Sequence, residues 1–297
     1  MQAKSCYNIY MSSDFIFPEI LFLVIMFILG AIFGSFACCQ AWRIYYKEEK
    51  KKDLGKWSVC LKCKKRLSPI ENIPIISWLI QKGKCKKCGA KIGVLELLSE
   101  IGLALSFTAL GASLWPEIIN AGNNILQLSF ELITTLLIVA IVTMMWVLLI
   151  YDAKWKLLPT KLLGIVNILA VICLGIRLAS FSLAGTFWQD FTAFLPGFGI
   201  GILLLPGIYY LLYKMSDEKL VGSGDWLLAL AISLILGNWW LCLLALFLSN
   251  FMASIIGIIL KARKGEKTIP FGPFLVLAFI VIYALQNWLS ILFAGLV

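Results

Sequence analysis

The chain has 297 residues, 61% of them hydrophobic and 14% charged, with a formal net charge of +10. That composition excludes a soluble globular domain and describes an all-α polytopic membrane protein. There is no histidine, which excludes Ser-His and Cys-His nucleophile systems, HExxH zinc sites and histidine-ligated haem, so acid and base chemistry falls to Asp, Glu, Lys, Tyr or Cys.

The first apolar run, 17 to 41, is too long for a signal-peptide core and has no A-x-A cleavage site, so it reads as a retained transmembrane helix. Further runs at 94–115, 125–150, 157–180, 190–213, 225–237, 239–260 and 270–294 bring the expectation to about eight transmembrane helices. The sixth is short and ends at Gly237 and Asn238, as a tilted or broken helix would.

Between the first two runs lies a hydrophilic loop, 43–91, with fifteen Lys and Arg against four acidic residues. The positive-inside rule puts this loop in the cytoplasm, with both termini outside. Its lysines suit a topology signal resting on anionic membrane lipids. They are not interleaved with aromatics, so nucleic acid is not an expected partner.

Counting spans from the loop returns "YDAKWK" (151–156), "KMSDEKLVGSGD" (214–225) and "KARKGEK" (261–267) to the cytoplasmic side. Asp152 and Asp225, 73 residues apart, then share one membrane face. Two carboxylates in a poorly hydrated site share a proton, so that one activates water while the other protonates the leaving group. Gly222 and Gly224 ahead of Asp225 are expected to supply unusual backbone angles and room for a substrate backbone. The plainer alternative makes Asp152 an interfacial charge and Asp225 a helix cap.

Within the loop, Cys60, Cys63, Cys85 and Cys88 form C-x2-C-x21-C-x2-C, a spacing suited to a structural zinc site. An iron-sulfur centre, a redox pair or free thiols are the other readings, and a reducing cytoplasm disfavours disulfides. The other cysteines read as small apolar membrane residues.

In this order, "GSF" (34–36) with Arg43, "ENIPIISWLIQKGKC" (71–85) between the CxxC pairs, Asp152 with "LLP" (157–159), and "GSGD" (222–225) resemble the type IV prepilin peptidases. The resemblance runs across most of the chain. It implies a GxGD-type membrane aspartyl protease with Asp152 and Asp225 as its dyad, cutting the basic leader from prepilins or pseudopilins at the cytoplasmic face of a bacterial membrane. It also implies N-methylation of the new terminus with S-adenosylmethionine, associated with residues 1–120, while 121–297 form a six-helix protease core.

By register, Glu100 occupies the family's glutamate position, with Glu96 a near competitor. Cys38, Thr160 and Trp226 stand where the family usually has Asn, Asp and Lys. The competing class is a transporter or assembly-platform protein with a zinc module, its aspartates carrying ions or protons.

Overall fold

A computed structural model describes residues 13–55, 57–122, 124–183, 187–216, 221–264 and 269–292. The charged connections at 217–220 and 265–268, and the end of the expected last helix at 293–294, lie outside the described residues. The helices in chain order are α1 (Ser13–Glu48), α2 (Ile76–Ile80), α3 (Val94–Ala121), α4 (Ile125–Trp155), α5 (Thr160–Leu183), α6 (Phe187–Ile202), α7 (Ile208–Met215), α8 (Ser223–Leu236), α9 (Trp239–Lys264) and α10 (Gly272–Leu292). A π-turn, Leu203–Gly207, joins α6 to α7 around Pro206, so the two form one span. Among the described residues there are no strands beyond two isolated bridges in the loop.

Seven of these spans are long and apolar enough to cross a membrane, and the protein is multi-pass. The expected sixth helix is α8, and its 14 residues reach about 21 Å at 1.5 Å per residue, against a hydrocarbon core of about 30 Å. It is enclosed by the bundle, with Leu228, Ala229, Ala231, Ile232 and Ser233 all buried. A helix that touches protein on its sides need not match the bilayer. It packs along α5, and Asn167 of α5 donates to the Leu227 carbonyl at 3.1 Å.

Two helices run further than hydropathy alone predicts. The apolar criterion stops at Arg43 and near Asp152, but α1 continues to Glu48 and α4 to Trp155. Aromatic packing stabilises the extra turns: Tyr45 stacks on Trp155 at 4.2 Å between centroids, and Trp42 meets Trp155 edge-on at 5.1 Å.

α1 and α3 cross at backbone distance. A methyl group on Gly30 would fall 2.6 Å from the Ala104 Cα, and one on Gly34 would fall 2.7 Å from the Glu100 Cα. This small-xxx-small pair lets two membrane helices touch without side chains between them. Ser99 fixes the crossing by donating to the Gly34 carbonyl at 3.0 Å while accepting from the Trp146 indole at 3.1 Å. The loop therefore leaves the bundle at the same end as the C-terminus of α4, where Asp152 lies.

Candidate active site

Asp152 sits in the last turn of α4, inside the helix rather than beyond it, and is 5% exposed. Asp225 is the third residue of α8 and is 8% exposed. The structure brings the two to the same end of the bundle, within electrostatic reach of each other. Each carboxylate accepts one backbone N–H on its Oδ2 atom. Gly272, at the head of α10, donates to Asp152 at 2.9 Å, and Gly222 donates to Asp225 at 3.1 Å. Both aspartates thus lie against helix N-termini, where free amides and the helix dipole favour negative charge.

The glycines act differently from the sequence expectation. Gly222 has φ −77°, an ordinary value, and neither it nor Gly224 is held at a positive φ. Gly224 is instead needed for a close approach: a Cβ there would lie 2.6 Å from the Cβ of Leu158. The "LLP" stretch after Asp152 and the "GSGD" stretch at the head of α8 thus touch through Leu158 and Gly224, which holds the two aspartates at one end of the bundle. Gly272 is also crowded, since a Cβ would meet the Asp152 Oδ2 at 2.9 Å. Sequence reasoning missed it; the signal was Gly272-Pro273 at the head of an apolar run, a helix-start pattern.

Glu100 gathers two of the sequence motifs. Its Oε2 accepts the Ile75 N–H at 2.6 Å, and its carboxylate takes a hydrogen bond from Ser35 of "GSF". Ile75 lies in the "ENIPIISW" segment with φ 63° and ψ −56°, and the Ile76 N–H donates to the Pro74 carbonyl at 2.6 Å. That is a γ-turn of the rare positive-φ hand, strained for a β-branched residue and sustained only by surrounding bonds. Glu96, its competitor in register, pairs instead with Lys154 at 3.0 Å, and the Lys154 ammonium lies 4.1 Å from the Trp42 ring.

Ser35, Trp42, Glu96, Glu100 and Lys154 line a cavity of about 440 Å³ together with Cys38, Arg43, Trp57 and Trp78. Two buried polar atoms at its wall, Trp78 Nε1 and Glu96 Oε2, have no hydrogen-bond partner. Lys154 is two residues from Asp152 on α4, so this cavity and the aspartates lie at the same end of the bundle.

The cysteines occupy two turns of the same design. Val59 bridges Arg66, and Lys84 bridges Lys91; the residue after each CxxC, Lys64 or Gly89, has a positive φ. The repeat brings the Sγ atoms of Cys60, Cys63, Cys85 and Cys88 within 4.8 Å of one another, disposed to hold a metal ion. Amide donors of Cys63 lower the Cys60 thiol below its ordinary pKa, and those of Cys88 and Lys87 lower that of Cys85, which favours thiolates at these two positions, whereas burial and the neighbouring thiols push Cys88 up to about 11. Beside them, a hydrogen bond from Lys65 holds the Glu71 carboxyl down at about 2.

Two buried carboxylates thus lie against helix N-termini at one end of a multi-pass helical bundle that also carries a four-cysteine loop. Residues 28–114 match the family model of the bacterial peptidase A24 N-terminal domain. The prepilin leader peptidase/N-methyltransferase of Dichelobacter nodosus is 32% identical over 238 residues, covering 80% of this chain and 71% of that protein. Those of Stutzerimonas stutzeri and Pseudomonas aeruginosa are each 30% identical, over 74% and 79% of this chain and 69% and 71% of theirs. The chain belongs to the prepilin leader peptidase/N-methyltransferase family. No solved structure matches it.

Proposed function

We propose that this protein is an aspartyl endopeptidase of the bacterial cytoplasmic membrane that removes the basic leader from prepilins or pseudopilins. Asp152 and Asp225 form its dyad. The observation that supports the reading is the burial of these two carboxylates within electrostatic reach of each other, each held by one backbone N–H on Oδ2. Each then keeps Oδ1 for the reaction. One carboxylate takes a proton from water, whose oxygen adds to the scissile carbonyl carbon. The other, protonated, donates to the carbonyl oxygen, giving a gem-diol; as the C–N bond breaks, the first carboxyl passes the water-derived proton to the leaving amine and the second recovers a proton from the gem-diol hydroxyl. Gly222 and Gly224 support the dyad, the first as the amide donor to Asp225 and the second through its contact with Leu158.

The fifteen basic residues of the loop favour a cytoplasmic position for the end of the bundle that carries the aspartates. In the same reading, residues 121–297 are the protease core and residues 1–120 carry the methyltransferase part. The donor set of the 440 Å³ cavity suits S-adenosylmethionine: the carboxylates of Glu96 and Glu100 would balance its cationic centre, and the unpartnered Trp78 Nε1 and Glu96 Oε2 would supply hydrogen bonds to it. When bound, that group supplies an electrophilic methyl.

We assign structural zinc to the four cysteines. Tetrahedral zinc-thiolate bonds of about 2.3 Å set sulfurs about 3.8 Å apart, and Cys60 to Cys88 and Cys63 to Cys85 already measure 3.9 and 4.0 Å.

The test is incubation of the full-length protein in detergent with a prepilin and labelled S-adenosylmethionine, reading the product N-terminus by mass spectrometry. The expected product is cleaved and methylated. Asp152→Asn and Asp225→Asn should each lower cleavage by at least about 100-fold, the scale of a lost general acid or base. Normal processing by both variants would overturn the dyad.

A further inference from the structure

The end of the bundle away from the aspartates holds a second cavity, of about 550 Å³, lined by Glu117, Glu131, Arg177, Asn238, Gln286 and Asn287. Its depth follows from α4. Glu131 and Asp152 are 21 residues apart on that helix, about 31 Å at 1.5 Å per residue, so the cavity lies at the level of the opposite membrane interface.

α8 ends at this cavity, with Ile235 and Leu236 in its wall. The chain turns at Gly237, whose φ of 61° caps the helix, and α9 begins two residues later. The turn leaves the Leu236 carbonyl without an intrahelical partner. Arg177 Nη1 donates to it at 3.4 Å, and the guanidinium lies 5.1 Å from the Phe194 ring. Gly237 makes this seat possible, since a Cβ there would fall 2.6 Å from Nη1. The guanidinium is therefore held by the fold at the cavity wall.

Its charge is not neutralised by an ion pair. Among the described residues, the ion pairs are Lys65 with Glu71 and Lys154 with Glu96. Glu117 lies within electrostatic reach of both Arg177 and Glu131 without pairing, and Asn287 holds it in place while donating to the Ser113 carbonyl at 2.9 Å. Ionisable groups at membrane depth are costly unless they find partners. One cation and two carboxylates around an open volume fit a ligand that carries an anion and a cation a short distance apart.

We propose that this cavity binds the headgroup of an aminophospholipid, its phosphate on the Arg177 guanidinium and its primary ammonium between Glu117 and Glu131. The ammonium's three N–H donors suit two carboxylates and the amide oxygens beside them. A purely anionic headgroup would satisfy Arg177 and leave both glutamates uncompensated. The site is independent of the peptidase assignment, and its failure would leave the cleavage results untouched.

The test measures thermal stability of the full-length protein in detergent with added phosphatidylethanolamine, phosphatidylglycerol or phosphatidylcholine, and with glycerophosphoethanolamine as a headgroup without acyl chains. Phosphatidylethanolamine should raise the Tm most, and Glu131→Gln and Arg177→Gln should each remove at least about half of that lipid-specific shift. Cleavage by Glu131→Gln verifies that the variant is folded, which guards against Arg177→Gln failing through its Leu236 contact. Equal shifts from the three lipids, or an unchanged preference in a folded Glu131→Gln, would overturn the proposal. An equal shift from glycerophosphoethanolamine would reassign the cavity to a soluble phosphoamine and overturn the lipid assignment.

Discussion

A methyl group at position 224 has nowhere to go, because Leu158 already occupies the space. Overpacking of this kind costs roughly 1–3 kcal/mol where the neighbour cannot yield. Gly224→Val should therefore displace α8 from the stretch after Asp152 and cut cleavage sharply. Adding Leu158→Ala to Gly224→Val should restore part of that activity, since contacting residues are energetically coupled. Equal activity in the single and double variants, measured as initial rates on one prepilin, would count against the contact. At this scale the sequence singled out residues more readily than it showed how they pack. Asp152, Asp225 and Gly224 stood out by type and position, but the crowding at Gly224 depends on a side chain 66 residues earlier in the chain, which no local pattern encodes. Gly272 stayed hidden because its N–H, which Asp152 uses, leaves no mark on residue type.

Among the elements, hydropathy marked the membrane-spanning runs well and their ends poorly. The criterion loses its signal at the first charges, yet Trp42, Tyr45 and Trp155 keep α1 and α4 helical beyond them. The two cysteine turns were legible as a spacing, whereas their matching bridges and positive-φ residues were not, because backbone pairing is set by folding of the whole loop. The Lys65–Glu71 pair, 2.8 Å apart beside these turns, has a defined pH signature. The folded Glu71 carboxyl, at about 2, lies below the ordinary glutamate value of about 4.3. Its contribution to stability is whole above that ordinary value and is lost as pH falls from there through about 2. The difference in thermal stability between the wild type and Glu71→Gln should be constant from pH 7 to about pH 5 and shrink below about pH 4. A difference unchanged down to pH 2 would remove the ion pair as its source.

For the whole molecule, charge asymmetry and span counting anticipated that the loop, Asp152 and Asp225 share one end, and the structure places them so, with the head of α10 bonded to Asp152 and Gly224 of α8 against Leu158. The short α8 is where counting by hydropathy was strained, because its burial among other helices is a tertiary fact. The metal prediction also belongs at this scale. The purified protein should contain about one zinc per chain, and Cys60→Ser should lose most of it. Chelation should then open residues 49–93 to added protease while the helical bundle stays resistant. Zinc near zero in the wild type, unchanged by Cys60→Ser, would reject the assignment.

The backbone crossing of α1 and α3 at Gly30 and Gly34 bears on how the chain is connected. From Gly34, α1 climbs 14 further residues to Glu48, about 21 Å, while α3 begins six residues before Glu100, about 9 Å away. Both ends of the loop are therefore pinned to one helical hairpin, and the 45 residues between them form a graft on that hairpin rather than a link between separate parts. Loop closure is already achieved by the helices, so the entropy of the intervening chain depends only weakly on its length. The membrane bundle can thus keep its connectivity while the grafted segment lengthens, shortens or changes its chemistry.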